Sequence, residues 1–158
     1  MALLWQLEIS VKEGVQILVV DDEPLIRHSM KMLLEHDGHK VCAVESGEAA
    51  LELLAQRRFD LIITDFSMPG MHGDQLVACI RASLPDQPII MATAFVEEYK
   101  VFGQASGNVD ALLLKPFSFK ELRETIERVL TLEMPAETSD LPPGVSPTAT
   151  PDLIPPRT

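Results

Sequence analysis

The sequence predicts an α/β fold, a flavodoxin-like doubly wound parallel sheet of five strands in the order 2-1-3-4-5 with helices on both faces. Three observations predict it. Short apolar runs such as Gln16-Ile17-Leu18-Val19-Val20, Leu61-Ile62-Ile63-Thr64 and Ala111-Leu112-Leu113-Leu114 have the length and continuity of strands buried on both faces. Segments with helical periodicity alternate with these runs from residue 16 onwards. Each of the three runs also ends in a charge: Asp21-Asp22, Asp65 and Lys115. In open parallel sheets ligands bind beyond the carboxyl ends of the strands. Three carboxylates and one ammonium are therefore expected along one edge.

The elements follow in order. Strands are expected at 16–20, 40–44, 60–64, 88–92 and 111–114, and helices at 24–36, 47–57, 74–83, 97–106 and 118–131. Pro24 suits a first helical turn, where its missing N–H costs no hydrogen bond. Ile26, Met30, Leu33 and Leu34 recur on one face of that helix, and Gly38 suits the left-handed position after it. Ser46 is placed to cap the second helix, whose core face is Ala50, Leu51 and Leu54. Ser118 and Glu121 have capping-box spacing ahead of Leu122, Ile126, Val129 and Leu130. Each crossover is expected to be right-handed.

Three regions result: an N-terminal extension at 1–15, the α/β domain at 16–132 and a tail at 133–158. Leu3, Leu4, Trp5, Leu7 and Ile9 leave strand and helix both open for the extension. Seven of the 12 prolines fall between Pro135 and Pro156, so the tail is expected to be extended or disordered.

Composition excludes several functions. A net charge of −11 repels nucleic-acid phosphates, so direct nucleic-acid binding is not expected. No run approaches the roughly 18 apolar residues that mark a membrane helix, and the first residues lack a basic segment and a long apolar one. No membrane association and a cytoplasmic location are expected. Cys42 and Cys79 lack metal-like spacing and read as buried, reduced thiols. The four histidines, His28, His36, His39 and His72, read as surface residues.

The strand ends carry the chemistry. Asp65 precedes Phe66-Ser67-Met68-Pro69-Gly70-Met71-His72-Gly73, a loop dense in turn formers that is expected to leave the carboxylate exposed. A carboxylate can attack phosphorus and form an acyl phosphate. Asp21 and Asp22 beside a third carboxylate would repel one another unless a cation neutralised them, and oxygen-only ligands suit Mg²⁺. Lys115, held by Pro116-Phe117, supplies a cation on the opposite side. Thr93, ending the fourth strand, offers a hydroxyl donor, and the small Ala94 leaves the site open.

Four segments together resemble the receiver domain of response regulators in two-component signalling, the CheY-like superfamily. They are Val19-Val20-Asp21-Asp22-Glu23-Pro24, Asp65 through Gly73, Met91-Ala92-Thr93-Ala94 and Lys115-Pro116-Phe117, and the likeness spans residues 16–131. The resemblance implies that Asp65 accepts phosphate from a phosphohistidine on a histidine kinase or phosphotransfer protein. It implies that Asp22 binds Mg²⁺ directly, Asp21 mainly through water, and that Asp65 and the Ser67 carbonyl complete the set. Thr93 and Lys115 would hold the phosphoryl oxygens. A stand-alone phosphoacceptor acting through a partner protein is expected, not an enzyme.

Two positions depart from the family pattern. Leu112 stands where receivers usually carry Tyr or Phe, so a constitutive interaction module with impaired switching is the alternative. Phe95, two residues after Thr93, is bulky enough to restrict an attacking water and so alter the phosphoryl lifetime. An aspartate-nucleophile phosphohydrolase of the haloacid dehalogenase type fits poorly, because Ser67 stands where a second Asp is needed and no cap domain is present.

Overall fold

The computed structural model describes residues 14–94, 97 and 109–132. Five parallel strands run β1 Gln16–Val20, β2 Lys40–Val44, β3 Leu61–Asp65, β4 Ile89–Thr93 and β5 Ala111–Leu114. Their order is β2-β1-β3-β4-β5, as the sequence predicts. Four helices are described: α1 Pro24–His36, α2 Gly47–Gln56, α3 Gly73–Ser83 and α4 Phe119–Leu132. The helix expected at 97–106 lies, apart from Glu97, outside the described residues, as do Phe95, nearly all of the N-terminal extension and the Pro-rich tail.

Alternation along the strands builds two cores. Ile17, Val19, Leu61, Ile63, Ile90 and Leu113 face α1 and α4, where Met30, Leu34, Leu122 and Ile126 meet them. Leu18, Val20, Ile62, Ile89 and Met91 face the other way, against Ala50, Leu54, Leu76 and Ile80 of α2 and α3. Ile17, Leu18, Ile62, Ile63, Ile89 and Ile90 are fully buried. Each contributes about 1.5–3 kcal/mol relative to exposure, enough in sum for the sheet to carry charged groups at its edge.

The helix ends follow the local chemistry. Ser46 Oγ accepts from the Ala49 N–H at 3.1 Å. Glu121 Oε2 accepts from the Ser118 N–H at 2.7 Å while Ser118 Oγ accepts from the Glu121 N–H at 3.2 Å, a reciprocal cap ahead of α4. Gly38 adopts φ +89° after α1. Asp37, beside it, takes two hydrogen bonds from Arg123, Nε at 2.5 Å and Nη2 at 2.7 Å, which tie α4 to the end of α1.

Two expectations are corrected here. His39 is buried, not on the surface; its backbone N–H pairs with the Leu34 carbonyl at 3.0 Å, which folds the chain back against the end of α1. Burial holds its imidazole below the ordinary value, with Asp37 opposing, and Nδ1 finds no hydrogen-bond partner among the described residues. Cys79 is exposed and Cys42 only half-buried, because Cys79 falls on the outer face of α3 and Cys42 on an edge strand.

Candidate functional site

The parallel register brings four strand ends together. Val20 pairs with Thr64, so Asp21 and Asp65 each lie one residue beyond the last pair. Asp65 pairs with Ala92 and Thr93 with Leu114, which puts Thr93 and Lys115 beside them. The chain is laced across these ends: Phe66 N–H donates to the Ala92 carbonyl at 3.0 Å and Lys115 N–H to the Thr93 carbonyl at 2.9 Å.

Asp21, Asp22 and Asp65 each bring a carboxylate oxygen to within 4.8 Å of the others. Lys115 Nζ lies 3.0 Å from Asp21 Oδ2 and 3.2 Å from Asp65 Oδ1. The Glu23 N–H donates to Asp21 Oδ1 at 2.9 Å, so both oxygens of Asp21 are engaged. Lys115, even with the Arg27 guanidinium on the Asp21 carbonyl, does not balance three carboxylates. The oxygen-only donor set and its uncompensated negative charge fit a hard divalent cation.

Burial sharpens the electrostatics. Asp21 and Asp65 are only 2% and 6% exposed, whereas Asp22 is half-buried. The expected exposure of Asp65 is therefore corrected: it is buried at the strand end, and the loop after it turns Phe66 and Met68 into the core beside α3. Desolvation pushes the Asp65 carboxyl above its usual range, Lys115 opposing and Asp21 reinforcing the shift. Burial alone would lower Lys115, but its hydrogen bond to Asp21 and the charge of both carboxylates outweigh it and hold the ammonium firmly protonated.

Of the other residues expected here, Thr93 is buried at the end of β4 and Ser67 is exposed in the loop two residues after Asp65. The Lys115–Pro116 peptide is cis. Leu112 is half-buried and packs against the core on the α2–α3 side.

Sequence reasoning missed two contributors. A Cβ on Gly73 would stand 2.2 Å from the Asp65 carbonyl oxygen, so α3 begins where only glycine fits against the acid strand end. Arg27, on α1, donates from Nη1 to the Asp21 carbonyl at 2.7 Å. The turn ending at Gly73 is readable from sequence, but the closeness of Gly73 to Asp65 is a tertiary feature. The Arg27 bond leaves no mark in the sequence beyond the five-residue spacing from Asp22.

Beside Lys115 a groove of about 450 Å³ opens between α1 and the turn before α4. Leu25, Ile26, Met30, Pro116, Phe117 and Phe119 line it. Leu25 is 82% exposed and Phe119 55%.

Comparison with known proteins places the chain. The family model of the response regulator receiver domain matches residues 17–127. The response regulator protein FleR of Pseudomonas aeruginosa is 34% identical over 135 residues, which is 85% of this chain but 28% of FleR. The chemotaxis protein CheY of the same organism is 35% identical over 118 residues, covering 73% of this chain and 95% of CheY. Among solved structures, the receiver domain of a P. aeruginosa sensor histidine kinase, crystallised with a magnesium ion coordinated in its active-site cleft, superposes with a TM-score of 0.70 at 28% identity. That match covers 75% of this chain and 98% of the other. Fold, strand-end charges and sequence agree, and the chain belongs to the response regulator receiver domain family.

Proposed function

We propose that this chain is a phosphoacceptor switch of a two-component phosphorelay, with Asp65 as the acceptor. The observation that carries the reading is the convergence of Asp21, Asp22 and Asp65 around one cation site, with Lys115 bonded to two of them. A carboxylate oxygen of Asp65 attacks the phosphorus of a phosphohistidine on a histidine kinase or phosphotransfer protein. The P–N bond breaks, its electron pair returns to the imidazole, and an acyl phosphate forms. Asp21, Asp22, Asp65 and the Ser67 carbonyl would hold Mg²⁺, which neutralises charge as the phosphoryl group arrives. The ion bound in the related kinase receiver supports this assignment.

The remaining residues orient and stabilise. Lys115 exchanges its bond to Asp65 for one to a phosphoryl oxygen, and the Thr93 hydroxyl donates to another. The exposed apolar groove of Leu25 and Phe119 beside Lys115 receives the donor protein. Output then passes to a partner that distinguishes the phosphorylated face.

Labelling by a panel of phosphorylated histidine kinases, with and without Mg²⁺, tests the reading. Label should appear on the wild type with Mg²⁺ and vanish in Asp65→Asn. Label that survives the substitution overturns the site.

Leu112 favours a second reading, because its half-buried side chain packs against the core and has no ring to swing. In that case Asp65 takes phosphate while partner affinity stays constant. Partner binding measured with and without beryllofluoride separates the two: a change in affinity supports the switch, and none supports the constitutive module.

A further inference from the structure

Arg27 stands outside the cluster of three carboxylates, yet its side chain bonds to the main chain of one of them. Three hydrogen bonds close a circuit around the turn from β1 to α1. Arg27 Nη1 donates to the Asp21 carbonyl at 2.7 Å. The Arg27 N–H donates to the Glu23 carbonyl at 3.0 Å. The Glu23 N–H donates to Asp21 Oδ1 at 2.9 Å. The Asp21 carbonyl belongs to a planar peptide that also contains the nitrogen and Cα of Asp22. Fixing that carbonyl fixes the plane from which the Asp22 carboxylate departs.

We propose that Arg27 is a positioning residue for the cation site, orienting the Asp21–Asp22 peptide through its bond to the Asp21 carbonyl. The inference rests on the reading that Asp21, Asp22 and Asp65 hold Mg²⁺. Its sign is diagnostic. A guanidinium near a dication repels it, so charge alone predicts that removing Arg27 tightens Mg²⁺ binding. Positioning predicts the reverse, since partners that orient metal ligands typically account for about 10–100-fold in affinity.

The test is calorimetric titration of the full chain with MgCl₂, free of phosphodonor, for wild type, Arg27→Met and Arg27→Lys. Methionine keeps the apolar stem and removes donor and charge; lysine keeps a donor and the charge. Mg²⁺ affinity should fall about tenfold in Arg27→Met and recover in large part in Arg27→Lys. Unchanged or tighter binding by Arg27→Met overturns the inference. Equal loss in both variants does too, because the bond and not the guanidinium shape is what positions the peptide. An Arg27→Met protein without helical dichroism also overturns it, since the bond would then hold the fold rather than the site. Failure of the wild type to bind Mg²⁺ would instead defeat the underlying reading.

Discussion

Lys115 Nζ lies 3.2 Å from Asp65 Oδ1, joining the end of β5 to the end of β3 across β4. Both side chains are largely buried, so the pair sits where unpaired charge is costly. Replacing Lys115 with Met leaves Asp21 and Asp65 facing each other with no ammonium between them. Removing one partner of a buried pair destabilises by about 3–5 kcal/mol, less where a carboxyl takes up a proton. Lys115→Met should therefore melt below the wild type in metal-free buffer. Saturating MgCl₂ should return most of the loss, because the cation replaces the missing positive charge and binds the folded state alone. Thermal unfolding of both proteins, with chelator and with Mg²⁺, measures this. A deficit that Mg²⁺ leaves untouched contradicts it.

The Asp65 carboxyl carries a pH signature. Desolvation raises it above the usual 3.8, with Lys115 opposing. A raised acid contributes stability that is full below the unfolded value and lost as pH rises through the folded value. Without metal, the wild type should lose stability relative to Asp65→Asn as pH climbs from 3.8 through the raised value. Lys115 titrates far above this window, with its own value raised from 10.5, so it does not blur the comparison. Unfolding midpoints of both proteins across the acidic range, in chelator, should diverge in favour of Asp65→Asn. Parallel curves would show that the Asp65 carboxyl is not desolvated as described.

Gly73 places α3 against the Asp65 end of β3. A methyl group at this position would meet the Asp65 carbonyl at 2.2 Å and the Phe66 Cα at 2.9 Å, both main-chain atoms that cannot rotate away. Gly73→Ala must push the α3 start or the Asp65 backbone outwards. Overpacking of this kind costs about 1–3 kcal/mol. The variant should melt lower and take phosphate more slowly from a small acyl phosphate, since the carboxylate moves with its backbone. Wild-type labelling kinetics in a destabilised variant would separate the packing role from the site.

Much of this arrangement was legible in the residues. Strand order and the positions of Asp21, Asp22, Asp65, Thr93 and Lys115 at the strand ends follow from buried apolar runs that stop at polar groups. Loop folding was not legible. Asp65 reads as exposed because the loop after it is rich in turn formers, yet Phe66 and Met68 turn into the core and Asp65 itself is buried. Cys79 is a different case: the period set by Leu76, Val77 and Ile80 turns it off the buried face of α3, so its exposure was readable from phase although the apolar segment around it suggested burial. His39 lies between α1 and β2, where no period assigns a face. Arg27 and Gly73 act through main-chain atoms distant from their own, and no local pattern encodes that.

The groove beside Lys115 yields a prediction that separates docking from chemistry. Leu25 and Phe119 expose apolar surface on opposite sides of it, and neither touches the carboxylates. A protein phosphodonor must cover that surface to bring its imidazole to Asp65, whereas a small acyl phosphate need only enter the acid site. Leu25→Ser and Phe119→Ser, alone and combined, should slow phosphotransfer from a cognate kinase. Burying such a side chain is worth about 1.5–3 kcal/mol, so each single variant should lose on the order of tenfold in transfer efficiency. Labelling by acetyl phosphate should stay at the wild-type rate, because Asp21, Asp22, Asp65 and Lys115 are untouched. Equal loss with both donors would place the defect in the acid site, and no loss with the kinase would remove the groove from the docking surface.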